Sequence, residues 1–150
     1  MTPEIKLTTG LQPFNIRFNN DEEVTTIYFD PTDADLPKRM FEAQNRIEEK
    51  TAKIKQFEID ENGVPKTDEY IETMNQLNQA VYEIVDYAFG NKIADKVFSR
   101  CSPFSIPNGE YFIIQFFQAI TPILESILKK YNKKANENIQ KHINKYLPKK

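Results

Sequence analysis

The 150-residue chain has one cysteine, one histidine and no tryptophan. Cys101 cannot close an intramolecular disulfide, and Cys101 with His142 falls short of a four-ligand zinc site unless carboxylates complete it. None of the four glycines sits in a phosphate-binding loop ending in Lys-Ser or Lys-Thr. No nucleophile elbow, metalloprotease helix or kinase signature occurs. With these frames for catalysis missing, we expect no enzyme, no cofactor, and no catalytic, cofactor-binding or metal-binding residues. The start, "MTPEIKLTTGLQPF", lacks the charged and then apolar pattern of a secretory signal, so a cytoplasmic protein is expected.

Three local features invite chemistry and have plainer readings. Cys101 lies beside Arg100, whose charge favours a thiolate, but no histidine is near in sequence to activate it. Asp30, Asp33 and Asp35 gather in "DPTDAD", which lacks the glycine and the twelfth-position glutamate of an EF-hand loop. Turn formation and helix capping suit them better. His142 stands in a lysine-rich end, where a solvated side chain is the simpler reading.

Charge is divided along the chain. From Lys129 to Lys150 there are eight lysines and one acid, Glu137, a net of +7, while the rest holds 12 basic and 21 acidic residues, a net of −9. Such a tail attracts nucleic acid, an acidic protein surface or its own body. On a helix, Lys133, Lys134, Lys141 and Lys145 fall on one side, and Ala135, Ile139 and Ile143 on the other. No arginine follows Arg100, so nucleic-acid binding from this end would be salt-sensitive and independent of sequence.

The patterning predicts a mainly α protein: a small bundle of about four helices with an N-terminal β-hairpin at about residues 13–29. "PFNIRF" alternates, with Phe14, Ile16 and Phe18 on one face, and "VTTIYF" is a second strand after the turn "NNDEE". Two strands alone are marginal in water, so the hairpin must lie on helices or pair with another sheet. The helical core spans about 34–131 and, with the hairpin, makes one domain, 1–131. Residues 132–150 form a lysine-rich helical or flexible tail.

Leu36, Met40, Ala43, Ile47, Ile54 and Phe57 mark the stripe of a first helix. Ile71, Met74, Leu77 or Asn78, Val81, Ile84, Val85 and Ala88 mark that of a second. Phe89-Gly90 closes the second helix, and "NKIADKVF" supplies a short third with Ile93, Val97 and Phe98 inward.

"EYFIIQFFQAITPILESILKKY" is the most apolar stretch. On a helical wheel its apolar residues cover an arc of roughly 180°. Gln115, Gln118, Pro122, Glu125, Ser126 and Lys129 share the other side, so a membrane-spanning helix, apolar all round, is not expected. Two readings fit: the spine of a bundle, and a surface partly open to another protein. Contact candidates are Phe112, Phe116, Phe117, Ile120, Leu124 and Leu128. Pro122 either bends one helix or begins a separate one.

The order of three stretches, "IYFDPTD", "FGNKIADKVF" and "FIIQFFQAITPILE", resembles the tail assembly chaperones of long-tailed phages and prophages of Gram-positive bacteria. The likeness spans about residues 24–131. It departs at Ser99-Arg100-Cys101, where such proteins tend to have glycines. The resemblance implies a non-enzymatic protein that binds the tape measure protein and the major tail protein during tail assembly and is absent from the mature virion. Groove docking of client helices and strand addition at the hairpin edge would be its means, and homo-oligomers are compatible with it. The alternatives are a small phage structural or connector protein and a nucleic-acid-binding module acting through the basic tail.

Overall fold

The computed structural model describes residues 1–55 and 68–146. Strand β1 (Gln12–Ile16) pairs antiparallel with β2 (Thr25–Phe29), and four helices follow: α1 (Leu36–Lys55), α2 (Asp68–Phe89), α3 (Ala94–Val97) and α4 (Phe112–Tyr146). The fold is mainly α with an N-terminal hairpin, as the patterning predicts.

Strand alternation puts Ile27 and Phe29 inward on β2, with Phe14 and Ile16 packed against the same core. Phe14 stacks on Phe29 at 4.2 Å between ring centroids, and Phe29 meets Phe89 of α2 edge-on at 4.8 Å. The hairpin thus gains the apolar backing that two strands need. "IYFDPTD" turns the chain from β2 into α1. Asp30 accepts the backbone N–H and the hydroxyl of Thr32, and Asp33 accepts the N–H of Asp35 at 2.9 Å. Capping and turn making therefore use these carboxylates. Among the described residues no group of three or more His, Cys, Asp or Glu is placed to hold a metal ion.

Helices α1 and α2 pack side by side through the expected stripes. Leu36, Met40, Ala43 and Ile47 are buried on one, and Leu77, Val81, Ile84, Val85 and Ala88 on the other. Burial of each large side chain contributes roughly 1.5–3 kcal/mol. Ile54 and Met74 are partly buried, and Phe57 lies outside the described residues. Ile71 departs from its predicted inward place and is 60% exposed. It sits in the first turn of α2, before the first fully packed residue, Leu77. Of the two candidates for that position, Leu77 is buried, while the Asn78 Oδ1 is enclosed without a hydrogen-bond partner among the described residues.

Gly90 takes φ +68°, closing α2 as its position predicts. The third helix is shorter than "NKIADKVF" because Asn91 to Ile93 form the turn and cap. The Asp86 Oδ1 accepts the N–H groups of Ile93 and Ala94, each at 2.8 Å. Ile93, Val97 and Phe98 are buried as expected.

Helix α4 runs 35 residues with Pro122 inside it, so Pro122 starts no separate helix. Pro122 is exposed, where water can satisfy the carbonyl its ring frees. The lysine-rich segment continues the same helix to Tyr146.

Candidate functional site

Helix α4 carries the candidate contact residues, and its core face is Ile113, Phe117, Ile120 and Leu124. Three of the six candidates, Phe117, Ile120 and Leu124, therefore belong to the buried cluster. Phe112, Phe116 and Leu128 are partly exposed, and Ile123 is 47% exposed on the outer side. The wide arc is divided: a central strip packs inward while both flanks border open grooves.

The larger groove, about 710 Å³, lies between the end of β1 and α4. Its apolar lining includes Ile16, Phe18, Phe112, Phe116 and Ala119. Phe112 touches Phe98 edge-on at 6.1 Å and faces Phe18 at 6.5 Å, while Phe116 meets Phe89 at 5.7 Å. The floor is thus held by rings rooted in α2 and the turn after α3.

Two arginines rim this groove. Arg100 reaches Asp21 at 3.3 Å and lies 5.9 Å from the Phe18 ring centroid. Arg17 donates to the carbonyls of Asp21 and Glu22 in the hairpin turn. Cys101, half-buried and unpaired, lines the same groove. Phe18 was within reach of sequence reasoning through its alternation with Phe14 and Ile16. The place of Arg100 was not, because the loop after α3 has no periodicity.

The second groove, about 470 Å³, separates α1 from the other flank of α4. Ile47, Ile114, Phe117 and Pro122 give it apolar walls, and Glu48 and Glu125 are the charged residues among the described ones that line it.

Each edge of the hairpin carries a feature that hinders strand addition. Pro13 lacks an N–H, which suits an outward-facing position in the ladder, opposite Tyr28. On the outer edge of β2, the Tyr28 carbonyl accepts from Asn91 Nδ2 at 2.7 Å and the Thr26 carbonyl from Lys96 Nζ at 3.1 Å. One edge is interrupted by proline and the other is capped by side chains, both common protections against pairing.

By length and composition, Phe112–Lys134 is apolar enough to cross a membrane. Its residues are sided, however: Ile113, Phe117, Ile120 and Leu124 lie in the core, while Gln118, Glu125, Ser126 and Lys129 are exposed. Packing among protein segments explains that distribution.

No family model matches the chain, and no curated protein or solved structure is similar to it at a significant level.

Proposed function

We propose that this chain is a cytoplasmic, non-enzymatic binding protein: a tail assembly chaperone of a long-tailed phage or prophage, absent from the mature virion. It holds helical segments of a tape measure protein in solution and helps bring major tail protein subunits to them. The observation that carries this reading is the apolar groove between β1 and α4, floored by Phe112 and Phe116 and rimmed by arginines. An amphipathic helix with apolar anchors and carboxylates at its border fits such a trough. Groove docking replaces strand addition as the means, given the protected edges of the hairpin. The three stretches that carry the family resemblance lend support by their places. "IYFDPTD" joins β2 to α1, "FGNKIADKVF" joins α2 to α3, and "FIIQFFQAITPILE" opens α4, so all three border one core.

Co-expression with the candidate tape measure protein tests the reading. The chain should keep an otherwise insoluble helical segment of it in the soluble fraction. Ala119→Glu, at an exposed position on the groove, should abolish that effect while leaving the melting temperature nearly unchanged. Equal solubilisation by the variant sinks the groove assignment. Detection of the chain in purified particles by mass spectrometry favours the structural or connector alternative instead.

The exposed Lys129, Lys130, Lys133 and Lys134 favour the nucleic-acid alternative. It requires retention on DNA that disappears at high salt.

A further inference from the structure

The groove beside β1 does not end with the rings that floor it. A second hollow, about 650 Å³, lies further along α4, where Gln12, Ile127, Lys130, Lys133, Lys134 and Glu137 help to line it. Both hollows open on one face of the helix. Eighteen residues make about five turns, so Lys130 stands in line with Phe112, and Lys134 with Phe116. Ile123 and Ile127 occupy the interval, about three turns after Phe112 and Phe116 respectively; Ile123 is 47% exposed and Ile127 half-buried. Strand β1 follows the same face of α4. Ile16 lines the first hollow, and Gln12, on the same side of the strand, lines the second and donates to the Tyr131 hydroxyl at 3.2 Å.

Charge gathers at the two ends of this trough. Arg17 and Arg100 are the charged residues among the described ones that line the first hollow, and three lysines against Glu137 line the second. Asp21 offsets Arg100, but Arg17 donates to backbone carbonyls, which leave its charge in place. Each end is therefore net positive, and the two lie about 27 Å apart at ~1.5 Å per residue. Between them the face is uncharged, since Glu125, the only charged residue from Phe112 to Leu128, lines the other groove. We propose that the two hollows are one client site, about five turns long, for an amphipathic helix whose apolar stripe is flanked by acidic residues at both ends. This rests on the client-binding reading of the groove and adds to it the length and charge pattern of the client. Duplex DNA suits the lysines but not the apolar middle, because its charge is continuous along the backbone.

Fluorescence anisotropy with the full-length chain and labelled synthetic peptides tests it. The probe is an amphipathic peptide of about 22 residues, roughly 33 Å long as a helix, with a leucine stripe and a pair of glutamates at each end. It should bind about fivefold or more tightly than the same peptide with lysines at one end, and than a half-length peptide that keeps both glutamate pairs. Lys130→Glu/Lys134→Glu, at exposed positions, should weaken the doubly acidic peptide about fivefold, strengthen the peptide with one lysine end by a similar factor, and leave the circular dichroism unchanged; high salt should shrink both effects. Equal affinity for the long and short peptides, indifference to the lysine reversal, or failure of the lysine-ended peptide to gain from it each overturns the proposal. If the reversal abolishes binding to duplex DNA but not the peptide preference, the lysines serve nucleic acid and the proposal falls. Loss of the peptide pattern while wild type still solubilises the tape measure segment, blocked by Ala119→Glu, strikes the longer site alone. The peptide pattern without solubilisation strikes the tail-assembly reading and leaves the site standing.

Discussion

Arg39 ties the turn before α1 to the end of α2, which is distant in sequence. Its Nη2 meets the Asp33 Oδ2 at 2.6 Å before α1, and its Nε donates to the Ala88 carbonyl at 3.2 Å in the last turn of α2. One side chain thus fixes the entry of one helix and satisfies a terminal carbonyl of the other. Hydrogen bonding from Arg39 is the main cause that holds the Asp33 carboxyl below its ordinary 3.8. For Asp30, burial pushes upward, but hydrogen bonds from Thr32 and from the Gly10 N–H outweigh it, so that carboxyl too is lowered from 3.8. Groups lowered on folding contribute stability that is full above their unfolded value and is lost as pH falls through the folded one. Thermal melting should therefore fall steeply below about pH 4, and Asp33→Asn should flatten that fall while lowering the melting temperature at neutral pH. An unchanged acid slope in the variant would show that the Arg39 contact contributes no pH dependence.

At the scale of the elements, α2 and α4 each contain a residue that their packing does not need. Asn78 sits where the apolar stripe of α2 continues, and its enclosed Oδ1 lacks a partner among the described residues. Leaving such an acceptor unsatisfied costs about 1–3 kcal/mol, so Asn78→Leu should raise stability by about 1 kcal/mol or more in urea titrations; a loss would mean that the amide has a role in specifying the fold. Pro122 withholds one backbone donor in the middle of α4, at an exposed position. Pro122→Ala should raise the unfolding free energy by about 1–3 kcal/mol, and a decrease would show that the proline sets a curvature on which the core depends.

The elements themselves were legible because periodicity is strong where burial is one-sided. Leu36, Met40, Ala43 and Ile47 could be read as a stripe, as could Ile27 with Phe29. Ile71 fits the stripe of α2 in sequence yet is exposed, since a stripe does not reveal which of its turns a neighbour covers. The arc on α4 was legible as apolar, but not its division into Ile113, Phe117, Ile120 and Leu124 in the core and two flanking grooves. That division depends on the placing of Phe18 and Ile47, which come from other segments.

On the scale of the whole molecule, the apolar half of α4 has three possible surroundings: lipid, its own core and another protein. Its central strip is covered by the core, so the flanks decide the matter. A bilayer would have to receive Gln115, Gln118 and Glu125 along with the apolar residues, and an acidic side chain at the centre of a spanning helix costs on the order of 2.5–3.5 kcal/mol. Lying in the lipid interface fits no better, because that mode favours lysine on the polar face, and between Glu110 and Leu128 there is none. Protein surfaces tolerate this mixture of apolar walls and charged borders. In vesicle flotation the full chain should remain with the soluble fraction when the lipids are neutral. Anionic vesicles should retain it only through the lysines that follow Leu128, and that retention should vanish as salt screens them. Flotation with neutral vesicles, unaffected by salt, would place α4 in lipid and remove the case for the groove beside β1 as a protein-binding surface.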